Sequence, residues 1–153
     1  MALPFHRPHA AVAPMDLFGA RIAILLPAEA AGGALSMFED SGMPGYGPPL
    51  HVHHDADEIF HVLAGRYRFF CGGRTLDAGV GDTVLVPRGA RHTFLNTGDG
   101  RGRLLVTMRP GGFERFFTEV FEAGLDAAED MGRITAIGER HQIEFLGPNP
   151  LAG

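Results

Sequence analysis

The chain has 153 residues, a formal net charge of −5, 45% hydrophobic residues and 20% charged residues. That length suits one domain with a core of its own, and an acidic balance without a basic cluster argues against nucleic acid or an anionic membrane as a partner. The single cysteine, Cys71, excludes an internal disulfide and makes a reducing cytoplasm the expected home; Asp16 and Arg21 interrupt the first apolar stretch, so no signal peptide is expected, and no run reaches transmembrane length.

Twenty-two glycines and eleven prolines fit a turn-rich, all-β chain. Met1 to Pro14 is aperiodic and reads as an arm. Leu17 to Leu26 is a candidate strand, Glu29 to Gly33 a turn, and Ala34 to Glu39 a second strand. Asp40 to Pro49 reads as a Gly/Pro loop. Leu50 to His54 and Glu58 to Ala64 are strands. Arg66 to Cys71 alternates, with Tyr67, Phe69 and Cys71 on one face. Gly72-Gly73 is a two-residue hairpin signal, after which Arg74 to Leu76 returns. Thr83 to Pro87 and Arg91 to Asn96 are strands, Thr97 to Gly102 is a hairpin turn, and Arg103 to Met108 closes the β region. Beyond Gly112 the period changes: Phe113, Phe116, Phe117, Val120 and Phe121 fall on one face of a helix, for which Gly124 is a fitting stop. Such a stripe belongs to packing, against an open face of the barrel or across a dimer, more often than to a cofactor site. Glu129 to Arg140 reads as a second helix, and Ile143 to Leu146 as an apolar tail segment. The expectation is one domain over 1–153, with a barrel core over about 15–110 and a C-terminal helical segment over about 111–146.

Two stretches carry the chemistry. In Gly45 to Gly65, His51 and His53 are one residue apart, so on a strand they share a face. Glu58 follows after a turn and can meet them from a neighbouring strand. Two imidazoles and a carboxylate are a usual ligand set for a divalent transition metal. In Gly81 to Asn96 an apolar run ends at Pro87, turns at Gly89 and reaches His92. A lone histidine on a strand is usually hydrogen-bonded or exposed. His54 lies out of phase with the pair and His61 on the face opposite Glu58, so both read as surface or interface residues; His6, His9 and His141 carry no spacing signal.

Together the two stretches resemble the signature motifs of the cupin family. G(X)5HXH(X)3–4E(X)6G is met by Gly45, His51, His53, Glu58 and Gly65; G(X)5PXG(X)2H(X)3N is met by Gly81, Pro87, Gly89, His92 and Asn96. The resemblance implies a jelly-roll β-barrel (double-stranded β-helix) and one divalent metal (Fe, Mn, Ni, Co or Zn) held by His51, His53, Glu58 and His92. Alternation then points Phe60, Val62, Tyr67, Phe69 and Phe94 inward as an apolar, partly aromatic pocket without a cationic clamp. The wording HVHH…DEIFHVLAG is most similar to small bacterial cupins of the flavonol dioxygenase (quercetinase) type, in which the glutamate is a ligand and a catalytic base. That resemblance implies a dioxygenase-like oxidoreductase acting on a small enolic or phenolic substrate, with Glu58 as the base. A non-enzymatic metal-dependent binding or sensor protein, or a metal-dependent isomerase, is the alternative. Cupins commonly pair through their sheets, so a homodimer with Phe70 buried in its interface is expected from the resemblance.

Overall fold

Strands that are apolar at alternate positions must bury one face, and here two antiparallel sheets do so against each other. The computed structural model describes residues 3–153. In chain order the strands are β1 Met15–Leu17, β2 Ala20–Leu26, β3 Ser36–Gly42, β4 Leu50–His53, β5 Asp57–Ala64, β6 Tyr67–Cys71, β7 Arg74–Ala78, β8 Thr83–Val86, β9 His92–Asn96 and β10 Gly102–Arg109. Two helices follow, α1 Glu114–Glu122 and α2 Met131–Arg140, and then a last strand, β11 Ile143–Gly147. One sheet runs β1-β2-β3-β10-β5-β8 and the other β11-β4-β9-β6-β7. This is a jelly roll whose two sheets pair internally and meet through side chains.

Register fills the space between the sheets. Val106 on β10 lies opposite both Phe38 on β3 and Phe60 on β5, and Phe60 lies opposite Val84 on β8. Across the gap, Phe69 on β6 faces Phe94 on β9. All six are buried. The Phe60 ring meets the Phe69 and Phe94 rings at 5.1 and 5.6 Å, within the range of favourable aromatic pairs. At roughly 25 cal/mol per Å² of apolar surface, rings of this size dominate the cohesion of the core.

Beyond shifts of one or two residues at the ends of β7, β10 and α2, the structure differs from the sequence reading in four places. Leu17 to Leu26 is two strands: the chain turns at Phe18-Gly19, with φ of +56° and +82°, and β1 pairs back onto β2. The 3-10 turn that follows β2 spans Ala28–Ala31. Asp40 belongs to β3 and not to a loop, because Ile22 and Leu104 flank it in the sheet. Ile143–Gly147 is a strand that pairs with β4, so the C-terminal segment returns to the barrel and is not wholly helical.

The aromatic face of α1 packs on its own barrel. Phe113, Phe116 and Val120 are buried, while Phe121 is 47% exposed at the edge of the stripe. The helix starts at a fixed place because the buried Glu114 carboxylate accepts hydrogen bonds from the backbone N–H of Ala28 (2.7 Å) and of Gly112 (2.9 Å). Both oxygens are thereby used, which is what a buried carboxylate requires. No helix among the described residues is long and apolar enough to cross a membrane.

Candidate metal centre

The four ligand candidates come from both sheets. His51 and His53 are alternate residues of β4, and His92 opens β9 directly opposite His51. Glu58 stands on β5, in the other sheet, so it reaches the histidines across the barrel and not from an adjacent strand. All four side chains are buried. Their ligand atoms lie within 4.8 Å of one another.

Backbone carbonyls aim two of the rings. His51 Nδ1 is 2.7 Å from the Pro49 carbonyl oxygen and His92 Nδ1 is 2.9 Å from that of Ala90. A carbonyl only accepts, so each Nδ1 carries the proton. That leaves both Nε2 atoms facing the cluster, the tautomer that a metal ligand needs. The loop carrying Ala90 is fixed in turn: Gly89, at φ +82°, donates its N–H to the His53 carbonyl at 2.8 Å. Only a residue without Cβ takes that backbone shape cheaply, which gives the second motif its glycine. Asp57, beside Glu58, accepts from the Arg88 backbone N–H and side chain and from Arg109. It thereby ties the loop before His92 to the strand carrying Glu58. Asn96, the last motif residue, donates to the Gly42 and Gly100 carbonyls and accepts from Gly98 N–H. Its role is to hold loops.

His92 and Glu58 share a proton. His92 Nε2 lies 2.8 Å from Glu58 Oε1, and His53 Nε2 lies 3.4 Å from the same oxygen. For Glu58, burial alone would raise the carboxyl pKa. The charges and hydrogen bonds of His53 and His92 outweigh that and hold it well below the carboxylate range. For His92, burial would lower the pKa, but the Glu58 hydrogen bond and charge reverse the effect and raise it. His51 is pushed down to about 3, by burial first and then by His92 and His53, with Glu58 opposing. The result is a neutral His51 beside an ionised Glu58 that binds the His92 proton.

The donor set fits a divalent transition ion. Bonds of ~2.1 Å place neighbouring ligand atoms of an octahedral ion about 3.0 Å apart and opposite ones about 4.2 Å apart. The 2.8 and 3.4 Å separations suit neighbouring positions, and the 4.8 Å upper limit is within about 0.6 Å of the spacing of opposite ones. Three imidazole nitrogens and one carboxylate suit iron, manganese, nickel, cobalt or zinc.

A cavity of about 260 Å³ opens beside the cluster, and His51, His53 and Glu58 form part of its wall. Phe60 and Phe94 line it, as do Phe38 and Val106 from the sheets. Val62, Tyr67 and Phe69 also point between the sheets, but they sit in the packed core and do not line the cavity. Much of the remaining wall is contributed by parts of the chain with no motif: Phe113, Phe116 and Phe117 of the α1 segment, Met131 and Ile134 of α2, and Ile143 and Phe145 of β11. The Phe113 ring meets His53 edge-on at 4.4 Å. The helical periodicity of the aromatic stripe was a signal for these residues, but periodicity does not say what the stripe covers. Asp40 and Tyr46 also line the cavity, and no sequence pattern singles them out. Among the described residues no arginine or lysine lines it.

The other histidines lie elsewhere. His54 pairs with Glu144 at 2.8 Å and His61 with the Thr83 hydroxyl at 2.9 Å, both on the exterior. His141 pairs with Glu119 at 2.7 Å, and His6 and His9 are exposed.

A barrel of this topology, with three histidines and a glutamate gathered at one end of its interior, is the architecture of a cupin. Residues 42–108 match the cupin domain family, and the fold around them is the cupin jelly roll. It is 32% identical over 90 residues to protein SchB of Streptomyces halstedii, a match covering 58% of this chain and 64% of SchB; the chain thus spans less than two thirds of that curated relative's length. Among solved structures it resembles KdgF from Halomonas sp. with a TM-score of 0.67 and 15% identity over 74% of this chain and 99% of that one. It also resembles the polyketide cyclase RemF from Streptomyces resistomycificus, with a TM-score of 0.59 and 22% identity over 70% and 80% of the two chains. At these identities the structural likeness speaks for the fold.

Proposed function

We propose that this protein is a metal-dependent, dioxygenase-like enzyme acting on a small, flat enolic or phenolic molecule. The observation that carries this reading is the aromatic-walled cavity, without a cationic residue in its described lining, onto which His51, His53 and Glu58 open. A sugar nucleotide or phosphate would call for arginine or lysine clamps; a planar apolar ring finds phenylalanine on several sides.

His51, His53, Glu58 and His92 are the proposed ligands. A bound divalent ion would supply Lewis acidity and, if redox-active, a site for oxygen chemistry. The chain's own residues do the rest. With an ion in place of the His92 proton, the ionised Glu58 would be released from that hydrogen bond to accept a proton from an enolic or phenolic hydroxyl. Phe60, Phe94 and Phe113 hold the ring plane and exclude water, which keeps the proton transfer between Glu58 and the substrate. The reading includes a homodimer, supported by the exposed Leu76, Val80 and Leu85 around β7 and β8.

A second reading, acid–base ring closure or isomerisation without oxygen, is favoured by the proton shared between His92 and Glu58 at the wall of a largely apolar cavity. Metal analysis of protein purified without chelator, followed by oxygen-uptake and product-mass measurements on a panel of enols and phenols, separates the two. Oxygen consumption with an oxygen-bearing product supports the first; a product formed without oxygen uptake supports the second. Binding without any product would sink both and leave a sensor or carrier.

A further inference from the structure

The cavity has a second polar end. Asp40 stands on β3 with its side chain on the same inward face as Phe38, and it is 93% buried, its residue exposure being 7%. Its Oδ1 atom is buried without a hydrogen-bond partner. Such an oxygen is costly to leave bare and calls for a reason in a folded protein. The Tyr46 side chain lies beside it and also lines the cavity.

The surroundings hold both groups in place. Tyr46 N–H donates to the Met43 carbonyl at 3.0 Å, and the Tyr46 carbonyl accepts from Asn96 N–H at 2.8 Å. Its ring sits over Gly42, where a Cβ would collide with it, and edge-on to Phe94 at 6.0 Å. Burial first, and then the charge of Glu58, push the Asp40 carboxyl up to about 7, with Tyr46 opposing. Burial and the Asp40 charge hold the Tyr46 hydroxyl well above its usual range, so it stays a donor. This end therefore offers both hydrogen-bond donation and acceptance to an oxygen.

Register gives the spacing. Glu58 lies opposite Met108 on β10, and Asp40 opposite Leu104, four residues along the same strand. At 3.3 Å per residue the two backbone positions are about 13 Å apart along β10. Volume limits the occupant as well. A cavity of about 150 Å³ accommodates benzene, so the 260 Å³ present here has room for two rings.

We infer that Asp40 and Tyr46 form a binding site for a second oxygen function of the substrate, and that the substrate class is a two-ring phenol or enol bearing one oxygen at each end. One oxygen faces the histidine–glutamate cluster and the other takes the free Asp40 oxygen as its partner. This rests on the reading of the cavity as a phenol or enol site, but it does not need oxygen chemistry.

The test is calorimetric binding, under nitrogen, of 2-naphthol and of 2,6-dihydroxynaphthalene to zinc-loaded protein. The unmutated protein is expected to bind the diol at least ~10-fold more tightly, the usual scale for one buried hydrogen bond. Asp40→Leu removes the polar end at similar volume and is expected to abolish the preference. Tyr46→Phe, which keeps the ring packing, is expected to reduce the preference and covers the case of a poorly folded Asp40→Leu. Equal affinities in the unmutated protein, no binding of either compound, or an unchanged preference in both variants would overturn the inference. A diol preference that vanishes in the variants, in a protein that consumes no oxygen when loaded with iron, leaves the inference standing and removes the oxygenase reading.

Discussion

His51 makes the metal-free protein acid-sensitive through one identifiable group. Its pKa is lowered from 6.5 to about 3 in the folded chain. In the unfolded chain it returns to the ordinary value of ~6.5. The sign follows from which state takes the proton first. As pH falls below the unfolded value, the unfolded chain binds a proton that the folded chain refuses, so stability is lost from about pH 6.5 downward and the loss levels off near the folded value. At pH 4.5 the difference corresponds to about two pH units, or about 2–3 kcal/mol, out of a typical total of 5–15. His51 is 6% exposed, so solvent screens little of this. His92 and Glu58 act differently. The raised pKa of His92 stabilises the folded state below its unfolded value and is lost as pH rises through the folded one; the depressed pKa of Glu58 stabilises above its unfolded value and is lost as pH falls. Both contributions are present with or without His51. The assay is urea unfolding of chelator-treated protein at pH 7.5 and 4.5, comparing the unmutated chain with His51→Gln. The unmutated chain is expected to lose about 2–3 kcal/mol more between the two pH values than the variant does. Equal losses in the two proteins would show that His51 is not held neutral by its surroundings, and the electrostatic account of the cluster would fail.

Four further outcomes are expected. Glu58→Gln keeps an oxygen ligand but accepts no proton at neutral pH, so metal content should be largely retained while turnover falls by ~10²–10⁴-fold; full activity in the metal-loaded variant would remove the base role. Phe116→Ala, at a site only 2% exposed between α1 and the barrel, should cost about 3–5 kcal/mol in urea unfolding, and a cost under about 1 kcal/mol would mean that α1 is not seated as described. Zinc should raise the melting temperature in a concentration-dependent way, because binding the folded state alone stabilises it, and His51→Ala combined with His92→Ala should abolish the effect. Light scattering at micromolar concentration is expected to give a dimer mass, with a monomer mass counting against the pairing of sheets.

What could be read from the chain differs between ligands and walls. Metal ligation demands particular residue types at particular separations, so His51, His53, Glu58 and His92 stand out on strand alternation and motif spacing, and the structure gathers them into one buried cluster. The glycines and prolines between them mark turns for reasons of backbone geometry. Cavity walls make no such demand. Phe145 lines the cavity, but a short apolar run such as Ile143 to Leu146 has no period that separates a strand from a tail. Asp40 sits in the string FEDSGMPG, where a carboxylate beside Gly and Pro has the composition of a loop; its burial depends on β2 and β10, which flank it from far away in sequence. The Phe18-Gly19 turn escaped for a related reason, since a phenylalanine at φ +56° is an uncommon turn former.

The return of β11 to the sheet bears on how the protein is made. β4 carries two of the histidines but shares with β9 only the His51–His92 register pair, whereas β11 pairs with every residue of β4, with a bulge at Leu146. His53 lies opposite Ile143, a residue synthesised ninety positions later. A ribosome adding ~5–20 residues per second needs several seconds to supply that stretch. During that interval the HVHH segment lacks the neighbour that flanks it on one side. The seating of His51 and His53 in the sheet therefore waits on residues 143–147, so a change in that distant strand acts on the histidine pair through backbone pairing and not through contact with the cavity.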